Sequence, residues 1–287
     1  MLSRDKSTMK IGNRIFDVQK HTYVMGILNV TPDSFSDGGQ WLEKDKALYH
    51  VEEMLAEGMD ILDVGGESTR PGHVAISAEE EISRVVPVIE AIKSRFDVPI
   101  SLDTYKAEVA KAGIKAGVDL INDIWGLKKD PEMAQVIAES GVACCLMHNR
   151  KEADYVDLLR DMVADLQESL ELACKAGISN DKIILDPGIG FGKTYVDNLQ
   201  LLGALDRFQQ LGYPLLLGTS RKSVIGLTLD LPVEERLEGT LVTTVMAVLN
   251  GYAFVRVHDI KENVRAIRMA EAIRQGGMSL YGRNQNR

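Results

Sequence analysis

No stretch of this 287-residue chain approaches the uninterrupted apolar run that a membrane span needs, and Met1 to Asn13 is polar, mixed in charge and without an apolar h-region. A cytoplasmic protein with no membrane partner is expected. Cysteine is scarce and odd in number: Cys144 and Cys145 adjoin within an apolar run, and Cys174 stands apart. Such a distribution suits buried free thiols rather than a disulfide or a zinc site, so no structural metal is expected. The formal net charge of −9 argues against bulk nucleic-acid binding, which wants a basic face, although a local basic pocket for a small anion is compatible with it. Linkers, internal repeats and low-complexity segments are absent.

What is present is alternation. Eight short β-prone runs occur in order, at Tyr23–Asn29, Ile61–Gly65, Ile100–Asp103, Leu120–Ile124, Val142–Met147, Ile183–Asp186, Leu215–Gly218 and Phe254–Val257. They are nearly continuous in apolar residues, as strands of a parallel sheet covered on both faces are. Helical periodicity fills the gaps, with Val85, Val86, Ile89 and Ile92 on one face of Ala78–Arg95, and Leu158, Met162, Leu166 and Leu170 on one face between Asp154 and Gly177. Eight β-α units in one chain of this length predict a single α/β domain, a closed (β/α)8 TIM barrel with its core at about 22–276. An open doubly wound sheet is the structural alternative. Residues Ile11 to Phe16, around Gly12-Asn13, predict a short N-terminal β-hairpin that closes the bottom of the barrel.

Polar residues fall where periodicity does not demand them. Asn29, Asp63, Asp103, Asn122, His148, Asp186, Ser220 and His258 each lie at or near the C-terminal end of a different predicted strand. In a barrel that rim is the functional one, although an Asp or Asn at such a junction also serves as a helix cap. The loop Asn29-Val-Thr-Pro-Asp-Ser-Phe-Ser-Asp-Gly-Gly39 is too rich in turn formers to be helix or strand. Gly65-Gly-Glu-Ser-Thr-Arg-Pro-Gly72 holds Arg70, a charged fork suited to carboxylate or phosphate, though a loop arginine is often merely solvated. Asp186-Pro-Gly-Ile-Gly-Phe-Gly-Lys-Thr194 ends like a nucleotide loop, but Pro187 and Lys193 stand where the two glycine signatures need glycine. A strand-end carboxylate followed by a floor that a flat ligand can approach is what remains. Gly218-Thr-Ser-Arg-Lys-Ser223 and Arg256-Val-His-Asp259 put cations after the seventh and eighth strands, where barrels bind phosphate. Arg256 and His258 share one side of their strand, and an inward arginine is costly to bury without an anion, so a ligand phosphate is expected there.

With those stretches placed, and with Ser-Leu-Asp-Thr-Tyr at 101–105 and Ile-Asn-Asp-Ile at 121–124 beside them, the chain closely resembles the dihydropteroate synthase family from about Tyr23 to Asp259. Seven motifs in order make the resemblance specific. It implies that 6-hydroxymethyl-7,8-dihydropterin pyrophosphate is joined to p-aminobenzoate, pyrophosphate leaving first and the amine capturing the pterin methylene cation. By this resemblance Asp103, Asn122, Met147, Asp186, Lys222 and Arg256 hold the pterin, and Asp103, Asp186, Lys222 and Arg256 carry the catalysis. Asn29, Arg256 and His258 bind pyrophosphate, with Mg²⁺ as cofactor on Asn29. Phe35, Asp37, Thr69, Arg70, Pro71, Phe191 and Ser223 meet p-aminobenzoate, which sulfonamides resemble, so loops one and two must close over it.

No strong general base is required, since an aromatic amine is unprotonated near neutral pH, and no Ser-His-Asp or Cys-His arrangement is evident. Methyltetrahydrofolate corrinoid methyltransferases resemble the same barrel and pterin pocket but lack the Ser-Arg-Lys and loop-one patterns. A non-catalytic pterin-binding paralogue is expected to lose Asn29, Arg70, Lys222 or Arg256, and all four are present. The resemblance further implies a homodimer. The apolar face of Leu241 to Leu249 is available to that interface or to the barrel.

Overall fold

The computed structural model describes residues 7–30, 40–67 and 75–283. Phe35, Asp37, Thr69, Arg70 and Pro71 lie outside the described residues, as do the tips of both loops expected to close. The chain opens with an antiparallel hairpin, β1 (Thr8–Ile11) and β2 (Arg14–Asp17). Eight parallel strands follow: β3 (Tyr23–Asn29), β4 (Ile61–Gly65), β5 (Ile100–Asp103), β6 (Leu120–Asp123), β7 (Ala143–Met147), β8 (Ile183–Asp186), β9 (Leu216–Leu217) and β10 (Phe254–Val257). Between and after them run α1 (Gln40–Glu57), α2 (Ala78–Arg95), α3 (Ala107–Ala116), α4 (Met133–Ser140), α5 (Leu158–Ala176), α6 (Tyr195–Leu202), α7 (Ser223–Leu229), α8 (Leu237–Leu249) and α9 (Ile260–Arg283).

The strands pair in the order β8-β7-β6-β5-β4-β3-β10-β9. A parallel bridge from Leu185 to Leu215 joins the two ends, so the sheet closes on itself and the open-sheet alternative is set aside. Two apolar layers result. One lies between strands and helices, where Val85, Ile89 and Ile92 of α2 and Leu158, Met162 and Leu166 of α5 are buried. On α2 the buried stripe runs through Val88, with Val86 only half-buried. The other fills the lower barrel, where Met9, Ile11 and Phe16 of the hairpin pack with Met25, Ile61, Leu120, Ile184 and Phe254. Phe16 meets Tyr23 edge-on at 4.8 Å, and Arg14 donates to the Asp97 carbonyl at 2.7 Å. The hairpin is therefore the expected plug.

Four boundaries shift, that of β7 by one residue, since it begins at Ala143 rather than Val142. β6 ends at Asp123 because its carboxylate accepts the Trp125 and Leu127 N–H groups and turns the chain out of the sheet. α5 starts at Leu158 because Asp157 caps it, accepting from the Arg160 N–H. β9 shrinks to two residues, Leu215 contributing only the closing bridge and Gly218 leaving the ladder. One sequence expectation is corrected: Cys144 and Cys145 are buried free thiols, but Cys174, on the outer side of α5, is exposed.

Candidate active site

The upper ends of the strands gather an ionic cluster. Asp63 points inward from β4 and is fully buried, Asp103 ends β5 at 8% exposure, and Arg256 reaches both from β10. Its Nε donates to Asp63 Oδ2 at 2.6 Å and its Nη2 to Asp103 Oδ2 at 2.8 Å, while the Ser101 hydroxyl holds Asp63 Oδ1 at 2.5 Å. This corrects the expectation that Arg256 needs a ligand phosphate to be buried: the protein supplies its own anions. Coulombic partners two and three strands away along the sheet are available before any ligand arrives. Burial works against the charge of Arg256, but Asp63 and Asp103 outweigh it and hold the guanidinium protonated.

Asp103 has one oxygen committed to Arg256 and one, Oδ1, buried without a hydrogen-bond partner. A buried polar atom left unpaired is expensive, so Oδ1 marks where a ligand donor belongs. Burial pushes the Asp103 carboxyl up to about 7, with Arg256 opposing and Asp63 reinforcing the rise. Asn122 lies beside it on β6, in register with Asp103 and 4% exposed. Across the opening, Asp186 ends β8 beside Met147 of β7, and both are buried. The Asp186 Oδ1 accepts from the Gly188 N–H at 2.7 Å, and burial raises its pKa against the pull of Lys222 and that N–H. A side chain at Gly218 would stand 3.6 Å from Asp186 Oδ2 and 3.9 Å from Arg256 Cβ, so glycine keeps the gap between them clear.

Lys222 precedes α7 and donates to the Ile189 carbonyl, its Nζ 4.3 Å from the centre of the Phe191 ring. Burial pushes this ammonium down to about 8, opposed by Asp186 and Asp103. Ser223 is the exposed first residue of α7. Ser220 fixes His258 through its Nδ1 at 2.9 Å. Asn29 ends β3 exposed, and its Oδ1 would be 3.8 Å from a side-chain carbon at Gly65, an uncrowded position. His148, expected on the rim, turns away from this cluster: its Nε2 meets Asp165 Oδ2 at 2.9 Å and its Nδ1 meets Lys193 at 2.9 Å.

The geometry thus brings together Asp103, Asn122, Met147, Asp186, Lys222 and Arg256, with Phe191 and Ser223 next to Lys222. Two cations, two carboxylates and an amide converge at the C-terminal ends of the strands, with Asp63 buried behind Arg256, a constellation for a flat heterocycle rich in donors. The chain matches the pterin-binding enzyme family over residues 25–258. It belongs to that family, among the dihydropteroate synthases. The dihydropteroate synthase of Clostridium beijerinckii is 59% identical over 266 residues, covering 92% of this chain and 99% of the relative. A Clostridium difficile dihydropteroate synthase solved in the presence of pteroic acid is 50% identical with a TM-score of 0.88, over 90% of this chain and 98% of that one. A Xanthomonas albilineans dihydropteroate synthase solved with 4-aminobenzoic acid is 40% identical, also at a TM-score of 0.88, over 93% and 98%.

Asp63 and Ser101 escaped the sequence reading as a support for Arg256. The available signal was a carboxylate inside the otherwise apolar run Ile61-Leu-Asp-Val-Gly65, since an isolated charge in a covered strand needs a partner.

Proposed function

We propose that this barrel condenses 6-hydroxymethyl-7,8-dihydropterin pyrophosphate with p-aminobenzoate, yielding 7,8-dihydropteroate and pyrophosphate. The observation that carries the assignment of roles is the partnerless buried oxygen of Asp103, an acceptor awaiting the amino or ring N–H of a pterin. Asp103, Asn122 and Asp186 read the pterin edge, Met147 packs on the ring, and Lys222 donates to the pterin carbonyl. Arg256, with Nε and Nη2 already committed to Asp63 and Asp103, presents its remaining edge to the pyrophosphate, which Asn29 and His258 also bind. Departure of pyrophosphate leaves a methylene cation that the carboxylates of Asp103 and Asp186 stabilise by their fixed position, preorganised charge being the main catalytic device. The amine of p-aminobenzoate then captures it, with Phe191 and Ser223 on that side together with the loop residues Phe35, Asp37, Thr69, Arg70 and Pro71.

The donor set suits magnesium. No group of three or more His, Cys, Asp or Glu that could hold a metal occurs among the described residues, and the hard amide oxygen of Asn29 is exposed and uncrowded. Mg²⁺ takes one or two protein oxygens and keeps waters and phosphate oxygens, and when bound it neutralises charge on the leaving pyrophosphate. An assay with both substrates, with and without Mg²⁺, tests the proposal. Dihydropteroate is expected only with both substrates and the metal; no product under those conditions overturns the reading.

The pH dependence follows from the same groups. Asp103 is a charged, strong acceptor for a ligand N–H when ionised, and with its pKa raised to about 7 that charge assistance is lost as pH falls through 7. Lys222 donates as an ammonium, and with its pKa lowered to about 8 its charge is lost as pH rises through 8. The kcat/KM for the pterin substrate is therefore expected to peak between those values, the limbs belonging to the cluster as a whole. A profile flat from about pH 6 to about 9 contradicts these roles.

The protein works as a homodimer in the cytoplasm, where Cys144 and Cys145 stay reduced. Among the described residues no helix is long and apolar enough to cross a membrane. The paired helices α8 and α9 supply the dimer face. α8 buries Thr240, Thr243, Thr244, Ala247 and Val248 against the barrel while Val242 and Leu249 stay exposed, and α9 exposes Met269 and Ile273.

A further inference from the structure

Lys193 has no hydrogen bond to the side chains assigned to substrate, yet its ammonium has three acceptors: His148 Nδ1, the Gly188 carbonyl and the backbone carbonyl of Phe191, each at 2.9 Å. Because Lys193 donates to Nδ1, the His148 proton sits on Nε2 and is donated to Asp165. Asp165 is anchored in turn by Arg150 Nε at 2.7 Å, and burial of this carboxyl is outweighed by the hydrogen bonds from His148 and Arg150, which hold it ionised. The chain Asp165-His148-Lys193 therefore has one hydrogen-bonding direction and one tautomer.

Its end point is the glycine-rich turn after β8. Gly188, Gly190 and Gly192 all have positive φ, at 69°, 83° and 54°, a conformation that carries little intrinsic preference for staying put. Side chains are excluded there by the backbone of 148–150, since a carbon on Gly188 would lie 2.0 Å from the His148 carbonyl and one on Gly192 2.3 Å from that of Arg150. Tyr155 adds a hydrogen bond to the Gly192 carbonyl at 2.7 Å. Two lysines thus share one turn. Lys193 takes the Gly188 and Phe191 carbonyls, while Lys222 takes the Ile189 carbonyl and lies over the Phe191 ring.

We propose that Lys193, oriented by His148 and Asp165, is a positioning residue for the pterin site: it fixes the turn whose Ile189 carbonyl and Phe191 ring hold the Lys222 ammonium in place for the ligand. The inference rests on the reading that Lys222 contacts the pterin. Loss of Lys193 removes donors from two carbonyls of a turn made of glycines, and Lys222 then lacks a defined acceptor.

Affinity for 6-hydroxymethyl-7,8-dihydropterin pyrophosphate, measured by calorimetry with Mg²⁺ on the full chain, tests it through a double-mutant cycle of Lys193→Met and Lys222→Met. Each single variant is expected to bind about tenfold more weakly or worse, and the double variant within about twofold of Lys222→Met, because Lys193 acts through Lys222. A generally loosened structure would instead give losses that multiply, which overturns the inference. So does unchanged affinity in Lys193→Met while Lys222→Met is weakened. If Lys222→Met itself binds normally, the placement of Lys222 fails and takes the inference with it. Should Lys193→Met not fold, Tyr155→Phe cuts the turn's bond to Gly192 from outside the pocket. It is expected to weaken binding about threefold in the wild-type background and not at all with Lys222→Met, and equal losses in both backgrounds overturn the proposal.

Discussion

Arg256→Met is expected to destabilise the protein by about 3–5 kcal/mol and to abolish turnover, because it strands two buried carboxylates rather than one contact. Asp63 is fully buried and Asp103 nearly so, and both have Arg256 as their ionic partner within 2.8 Å. Methionine preserves much of the apolar stem, so the loss is chiefly electrostatic. The sign of the pH dependence distinguishes this cause from poor packing. Burial already pushes Asp103 up to about 7 with Arg256 opposing, so without the arginine the carboxyl titrates higher still. A folded-state carboxyl pKa above its unfolded value means that stability falls as pH rises, so the deficit is expected to be larger at about pH 8 than at about pH 5.5 in urea unfolding. Adding Asp63→Asn is expected to recover part of the stability and none of the activity. A variant melting like the wild type at both pH values would show that the pair does not hold the barrel rim.

Asp103→Asn is expected to separate binding from stability. Arg256 keeps Asp63, and an amide in place of the carboxylate can still accept from Arg256 through its oxygen. That orientation turns the amide NH₂ toward the position of Oδ1, where a donor on the ligand meets a donor on the protein. Losing a charged acceptor in a buried site costs about 2–3 kcal/mol, or about 30- to 150-fold in affinity for the pterin pyrophosphate. Calorimetry is expected to record that loss while the melting temperature stays within a few degrees of wild type. Unchanged affinity would remove Asp103 from the pterin site and leave its partnerless oxygen unexplained.

Legibility in the sequence followed the range of the interactions. β3, β4, β5, β8 and β10 lie where their apolar runs place them, and α2 spans the predicted Ala78–Arg95 between Ser77 and Phe96. These depend on side-chain period and on caps a few residues away. The ends of β6 and α5 moved because Asp123 and Asp157 bond to N–H groups within four residues, signals present in the chain but ambiguous between cap and site until the turn is seen. His148 illustrates the same ambiguity at longer range: its place at a strand end suggested the pocket, whereas Asp165 and Lys193 hold it behind the glycine-rich turn.

By itself the sequence determined the eight-fold β-α alternation, the plugging hairpin, and which polar residues stand at strand ends, because each is written in a period of two or 3.6 residues or in a local turn. Only the tertiary structure decided which charges neutralise one another. Arg256 meets Asp63 and Asp103 across separations of 193 and 153 residues, and the two ends of the sheet join through Leu185 and Leu215. Barrel closure brings the last strand against the first, and no local pattern encodes a Coulombic pairing that exists only once the ring is shut.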